Sequence, residues 1–112
     1  MGTAQIPLGA LWRLRLLERH VPAGTPVMTE RALELREAAG LPLFPFPERR
    51  LLAERIRLWG IGAVLLDGDS RSKADPSELE ALGGRLVLEE GEAKLFLLSP
   101  IPPALPDGAG PR

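Results

Sequence analysis

The side chains best suited to bind a ligand or to take part in catalysis lie close together within residues 67–73. Five of them make up a candidate ligand-binding segment: Asp67, Asp69, Ser70, Arg71 and Lys73. Two carboxylates at positions i and i+2 could hold Mg²⁺, which prefers oxygen ligands, and the serine, arginine and lysine could donate hydrogen bonds to a phosphate group. Used in this way, Asp67 and Asp69 would serve a small Mg²⁺-dependent enzyme that handles phosphoryl groups.

The same segment has a simpler interpretation. Asp-Gly-Asp-Ser is a common turn composition, and a turn that leaves a strand needs no ligand to explain its charges. The spacing of the other acidic residues along the chain identifies no third ligand for a metal ion. We therefore favour a solvated turn without a metal, and we keep the phosphoryl-handling enzyme as the alternative.

The composition offers few other kinds of catalysis. The chain has no cysteine, which excludes disulfides and thiolate chemistry. His20 is the single histidine, so a His-rich metal site is impossible, and it follows a predicted helix, where a cation interacts favourably with the helix dipole. Nothing in the sequence places a serine and an acid beside His20, so no catalytic triad can be assembled. We expect no cofactor and no catalytic residue.

The candidate segment is positioned by the residues that precede it. Leu52, Ile56 and Trp59 recur at helical spacing, which predicts an amphipathic helix. Residues 61–66 are apolar without interruption, whereas an amphipathic strand would alternate apolar and polar side chains. The run therefore predicts a strand that is covered on both faces, at the centre of an α/β sheet. Asp67 then follows the carboxyl end of that strand, where open α/β sheets bind their ligands.

The other elements follow from periodicity and from turn residues. Before the central strand, the pattern predicts a helix over 8–19, a short strand at 27–28, a helix over 31–39 with Thr29 as its N-cap, and an extended edge segment at 41–47 that contains three prolines. After it, the pattern predicts a short helix capped by Asp75, then a hairpin of strands 85–90 and 93–98.

This alternation of helices and strands defines the expected fold class. It is α/β: a small layered, Rossmann-like domain with a mixed sheet, a parallel centre, an antiparallel C-terminal hairpin and flanking helices. Residues 1–98 would form this single domain, and residues 99–112, rich in proline and glycine, would form a mobile tail.

Composition limits the class of partner. Hydrophobic residues make up 45% of the chain and charged residues 26%, which is ordinary for a globular protein. The net charge of −1 argues against nucleic-acid binding through bulk positive charge, and no apolar run approaches the length that spans a bilayer. The bias towards Leu, Arg, Glu, Pro and Gly is compatible with a thermophilic source or with a GC-rich genome.

Four segments together follow a pattern found in a known module: residues 21–29, 40–42, 58–66 and 91–97. The first is a strand with the pattern proline, small residue, apolar residue, threonine, and the second is a Gly-Leu-Pro sequence at the end of a helix. The third is a glycine-rich apolar strand, and the fourth is one arm of a hairpin. Over about residues 20–98 the chain resembles the small soluble α/β domain at the end of polytopic glycosyltransferases of the dolichyl-phosphate-mannose protein mannosyltransferase type.

This resemblance implies an accessory domain without chemistry of its own. The catalytic acids of that family lie in loops between membrane helices, so none of them can be carried over to this chain. The resemblance would imply a membrane-protein neighbour and an extracytoplasmic location, whereas a stand-alone chain would be cytoplasmic. Taken together, the residues and the resemblance predict a non-enzymatic accessory or interaction module that binds a protein partner, a second copy of itself or a sugar-like ligand.

Overall fold

The computed structural model describes residues 8–37, 39–70 and 72–98. The helices in this part of the chain are α1 Leu8–His20, α2 Ala32–Leu35, α3 Leu52–Trp59 and α4 Pro76–Ala81, and the strands are β1 Val27–Met28, β2 Leu43–Phe44, β3 Ala63–Leu66, β4 Gly84–Glu90 and β5 Ala93–Leu98. Short 3₁₀ turns precede α3 and follow β3. The predicted tail at residues 99–112 lies outside the described residues.

The strands form one mixed sheet in the order β2-β1-β3-β5-β4. Strands β2, β1 and β3 are parallel, with Val27 opposite both Leu43 and Ala63. Strand β5 pairs with β3 in the antiparallel sense, and the β4–β5 hairpin forms the end of the sheet. The predicted fold class is therefore confirmed, with a parallel centre and an antiparallel C-terminal hairpin.

Strand β3 is the central strand, and all four of its side chains are buried. Ala63 and Leu65 belong to a cluster that joins one face of the sheet to α1 and α2. Val64 and Leu66 belong to a second cluster, which joins the other face to α3 and α4. The side chains of a strand point alternately to opposite faces, so an uninterrupted apolar run is what a strand between two helical layers requires.

The predicted amphipathic helix before this strand is present as α3. Leu52 and Ile56 are buried against the sheet, and Gly60 ends the helix with a φ of 64°, a left-handed conformation that glycine adopts without strain. Trp59 is half-buried, and its ring stacks on that of Phe44 at a centroid distance of 5.1 Å. Helix α3 is thereby packed against the outer strand β2.

The predicted helix over residues 31–39, with Thr29 as its N-cap, is wrong in extent and in its start. Helix α2 has only four residues, and Arg31 precedes it with a φ of 59°. Thr29 is fully buried, and its backbone N–H donates to the Phe44 carbonyl at 3.0 Å. The backbone of Thr29 therefore extends the hydrogen-bonded ladder between β1 and β2, and its hydroxyl donates to the Glu30 carbonyl at 3.3 Å. The helix begins only after Arg31.

The proline-rich segment forms an edge strand, as predicted. Only Leu43 and Phe44 pair with β1, and the flanking Pro42 takes part through its carbonyl, which accepts a hydrogen bond from the Val27 N–H at 2.8 Å. Proline has no N–H to donate, so the prolines on either side limit this edge to two residues. No helix in the described part of the chain has the length and apolar character needed to cross a membrane.

The start of α4 carries the predicted cap. Glu78 accepts a hydrogen bond from the Asp75 backbone N–H at 2.8 Å, which forms part of a capping box, and Pro76 occupies the first turn. Arg49 forms salt bridges to Glu78, at 3.1 Å, and to Asp75. Hydrogen bonds to Glu78 and then Asp75 raise the pKa of Arg49 above its ordinary value, so it stays charged at any physiological pH.

The cap can be tested by comparing two substitutions at Asp75. We expect Asp75→Ala to lower the free energy of unfolding by about 1 kcal/mol, because the first turn of α4 loses its side-chain acceptor. Asp75→Asn keeps that acceptor but removes the charge that faces Arg49, and exposed ion pairs contribute little, so it should be nearly neutral. Urea unfolding measures both. Equal losses would show that the charge, and not the cap, stabilises the helix.

Candidate functional site

The carboxyl ends of the parallel strands meet at one edge of the sheet, and the predicted ligand-binding segment lies there. Strand β1 leads into Thr29 and Glu30, and β3 leads into Asp67 and the 3₁₀ turn Gly68–Ser70. This is the edge at which open α/β sheets bind ligands. The position of Asp67 therefore agrees with the prediction, and the contacts made by the described side chains decide what this edge can do.

Asp67 is buried, and its charge is paired with that of Arg13 from α1. The Arg13 Nε donates to Asp67 Oδ2 at 2.7 Å, and both side chains are almost completely excluded from solvent, at 6% and 4% exposed. Burial of a carboxylate is costly unless it is paired and hydrogen-bonded. A guanidinium already occupies the carboxylate that was predicted to hold Mg²⁺.

Arg13 is the residue at this edge that sequence analysis missed. It lies three and four residues before Leu16 and Leu17, both buried, so it falls on the inner face of α1. A charged residue at an apolar position of a helix is a recognisable signal. Its partner lies 54 positions away along the chain, so the sequence alone could not identify it.

Ser70 is fully buried and bonds to the backbone of its own turn. Its hydroxyl accepts from the Asp67 N–H at 2.8 Å and donates to the Asp67 carbonyl at 3.3 Å. Both hydrogen bonds hold the 3₁₀ turn against the end of β3. The hydroxyl predicted to donate to a phosphate group is thus used to shape the turn that carries Asp67.

Lys73 connects the ends of the two neighbouring parallel strands. Its Nζ lies 2.7 Å from Glu30 Oε2. That oxygen is shielded from solvent and makes no hydrogen bond of good geometry, so the contact with Lys73 is a salt bridge that compensates its charge. The ammonium group predicted to bind phosphate therefore neutralises a shielded carboxylate next to β1.

The structure thus brings three of the five predicted residues to one edge: Asp67, Ser70 and Lys73. The side chain of Asp69 and the whole of Arg71 lie outside the described part of the structure. In that part of the chain, no group of three or more His, Cys, Asp or Glu side chains is arranged to hold a metal ion. The ligand-binding role of the segment remains a prediction.

Two cavities flank Asp67 at this edge. The larger, about 360 Å³, is lined by Trp12, Arg13, Asp67, Gly68, Glu90, Glu92 and Ala93, and the smaller, about 200 Å³, lies towards the start of α4. The guanidinium of Arg13 lies over the ring of Trp12, 4.8 Å from its centroid. A Cβ atom added at Gly68 would overlap the Glu92 carboxylate, so the hairpin turn approaches this edge closely.

A second exposed feature is the outer edge of β4. This strand has seven residues without proline and, among the described residues, pairs on one side only, with β5. Leu86 and Val87 are each 39% exposed. The register shifts between Leu86 and Leu88, so Val87 forms a β-bulge. The two edge strands therefore differ. Prolines restrict β2 to two residues, whereas β4 has a long unpaired backbone edge with exposed apolar side chains.

Comparison of the chain with protein-family models, with curated proteins and with solved structures finds no significant match. The resemblance to the glycosyltransferase domain accordingly stays a prediction. Two features bear on function: the edge formed by the carboxyl ends of the parallel strands, called here the carboxyl edge, and the outer edge of β4.

The buried ion pair can be tested by removing its cation. We expect Arg13→Met to lower the free energy of unfolding by about 3–5 kcal/mol, because the buried Asp67 carboxylate loses the guanidinium that pairs with it. The double variant Arg13→Met, Asp67→Asn removes both charges and should recover part of that loss. Chemical unfolding followed by circular dichroism measures both variants.

The control is Arg31→Met, which breaks the exposed pair between Arg31 and Glu34. Because both of those side chains are near half exposed, we expect a change of only about 0–1 kcal/mol. If Arg13→Met were as mild as Arg31→Met, the pair would contribute nothing particular to stability.

The magnesium alternative can be tested directly by titration. Since Arg13 already neutralises Asp67 and Glu30 already engages Lys73, we expect millimolar-range Mg²⁺ to leave the amide resonances of Asp67, Ser70 and Lys73 unchanged. A ¹H–¹⁵N correlation spectrum recorded at each step measures this. Saturable shifts confined to that segment would establish a metal site and restore the phosphoryl-handling alternative.

Proposed function

We propose that this chain is a non-enzymatic α/β interaction module that binds an extended segment of protein along the free edge of β4. The observation that carries the proposal is the contrast between the two edges of the sheet. Strand β2 offers two residues between prolines, whereas β4 offers seven residues with Leu86 and Val87 exposed. Unpaired N–H and C=O groups of an edge strand are a ready template for another strand.

The side chains at the carboxyl edge already make structural contacts, which favours an interaction module over an enzyme. Asp67 pairs with Arg13, Lys73 pairs with Glu30, and Ser70 bonds to its own turn. Each of these predicted ligand-binding groups therefore has a structural role that is sufficient to explain it. The magnesium-dependent enzyme remains the second candidate, and the titration described above decides between them.

The charges on β4 define the chemistry of the segment that would bind. Arg85 lies near the start of the strand, and Glu89 and Glu90 lie at its end. An antiparallel partner strand would therefore carry a basic residue near its N terminus, an apolar centre, and an acidic residue near its C terminus, because opposite charges directly across a sheet are favourable. A module of this kind is also compatible with the accessory role that the glycosyltransferase resemblance implies.

The proposal can be tested with two synthetic peptides of the same composition. One has lysine near its N terminus, alternating valine and threonine in the centre, and glutamate near its C terminus, and in the other the two charged residues are exchanged. We expect the first to shift the amide resonances of residues 84–90 and to bind more tightly than the second. A ¹H–¹⁵N titration measures both affinities.

Two variants show whether the edge itself is the binding surface. Val87→Lys places a charge on the edge and should abolish binding, since charged side chains are the usual protection of edge strands. Leu58→Lys is the matched control, because Leu58 is 64% exposed on α3, away from β4, and it should leave binding unchanged. Failure of the first peptide to bind, or equal loss of binding in both variants, would contradict the proposal.

A further inference from the structure

We propose that the segment that binds along β4 is the β4 strand of a second copy of this chain, placed antiparallel about a twofold axis. This inference rests on the proposed function, because it assumes that the edge of β4 binds a strand. It goes further by naming the occupant. Two features of β4 favour this occupant: the order of its charges and the bulge at Val87.

The sequence of β4 is self-complementary in the antiparallel sense only. It runs Gly-Arg-Leu-Val-Leu-Glu-Glu, with the positive charge at one end, the negative charges at the other and three aliphatic residues between them. Two such strands in parallel would place Arg85 against Arg85 and the glutamates against each other. In antiparallel order each arginine lies against the acidic end of the other copy, and like charges are kept apart.

The bulge brings Arg85 and Glu90 to the same face of the sheet. Arg85 is opposite Leu97 and Glu90 is opposite Ala93 on β5, and directly opposite residues share a face. Ala93 belongs to the cluster on the α1 and α2 side, and Leu97 packs against that cluster. In a regular strand, two residues five positions apart would point to opposite faces.

This geometry selects the alignment of the two strands. A twofold axis perpendicular to the sheet keeps each face on its own side, so residues that lie opposite each other across the axis must share a face. Arg85 and Glu90 meet this condition because of the bulge, and two equivalent salt bridges form, one at each end of the interface. Val87 and Leu88 lie at the centre, next to their counterparts, and Leu86 lies opposite Glu89 of the other copy. The two five-stranded sheets thereby become one.

The strength of such a dimer should be modest. A single strand pair is smaller than the standard interface of about 1,600 Å², and each charge pair at its ends is open to solvent. The experiment must therefore use protein at about 0.5 mM, well above the range that suffices for standard-size interfaces. Sedimentation equilibrium of the full chain gives the dissociation constant directly.

Charge exchange tests the alignment. We expect wild type to dimerise, and we expect Arg85→Glu and Glu90→Arg each to raise the dissociation constant by about tenfold or more, since each creates two like-charge contacts per dimer. An equimolar mixture of these two variants should form a heterodimer, because every position then faces its opposite charge again. The double variant Arg85→Glu, Glu90→Arg should recover the homodimer for the same reason.

The control is Glu37→Arg, which changes the net charge by the same amount as Glu90→Arg at an exposed position after α2. It should dimerise as wild type does. A monomeric wild type at all concentrations overturns the inference, as does a mixture of the two variants that remains monomeric. Should the chain be monomeric while the synthetic peptide still binds residues 84–90, only this inference falls and the proposed function stands. If neither the peptide nor a second copy binds, both fall.

Discussion

Strand β3 lies between two helical layers, with all four of its side chains buried. This constraint determines most of the remaining structure. One face needs α1 and α2 to cover Ala63 and Leu65, and the other needs α3 and α4 to cover Val64 and Leu66. Each helix in turn derives its stability from this contact, because helices as short as four to thirteen residues are marginal in water without tertiary packing.

The same burial extends one residue beyond β3 and creates an electrostatic requirement. Asp67 follows Leu66 directly and is only 6% exposed. An uncompensated buried charge costs several kcal/mol, which is a large part of the roughly 5–15 kcal/mol that stabilises a typical domain. Arg13 meets the requirement from the first helix, so the pair connects the N-terminal helix to the exit of the central strand. At this end of the sheet, the ion pair therefore stabilises the packing of α1 on β3.

The parts of this fold that the sequence predicts are those in which local chemistry and burial agree. Six apolar residues in succession predict β3, and Asp75, Pro76 and Glu78 predict the start of α4, because neither signal depends on distant residues. The conformation before α2 could not be predicted, since Thr29 continues the ladder with Phe44, fifteen residues later, and Arg31 takes a left-handed conformation. Tertiary context of this kind commonly overrides local helix propensity.

The candidate site shows the same division. Sequence placed residues 67–73 at the carboxyl end of the central strand, and the structure shows Asp67, Ser70 and Lys73 at that edge. It could not show that Arg13 and Glu30 come from other elements to pair with Asp67 and Lys73. Pairing of this kind depends on how α1 and β1 are arranged around the sheet, and a list of polar residues in one segment contains no such information.

Burial of β3 and the Arg13–Asp67 pair involve the interior of the fold, so the two edge strands, β2 and β4, are the parts of the sheet left to bind a partner. Prolines at positions 42, 45 and 47 remove N–H donors from the β2 side, which protects that edge against other strands. On the β4 side, the bulge at Val87 is the one irregular feature of the hairpin register. Bulges commonly twist an edge away from unwanted partners, but this one also aligns Arg85 with Glu90 on a single face. The feature that discourages indiscriminate strand pairing therefore favours one specific antiparallel register.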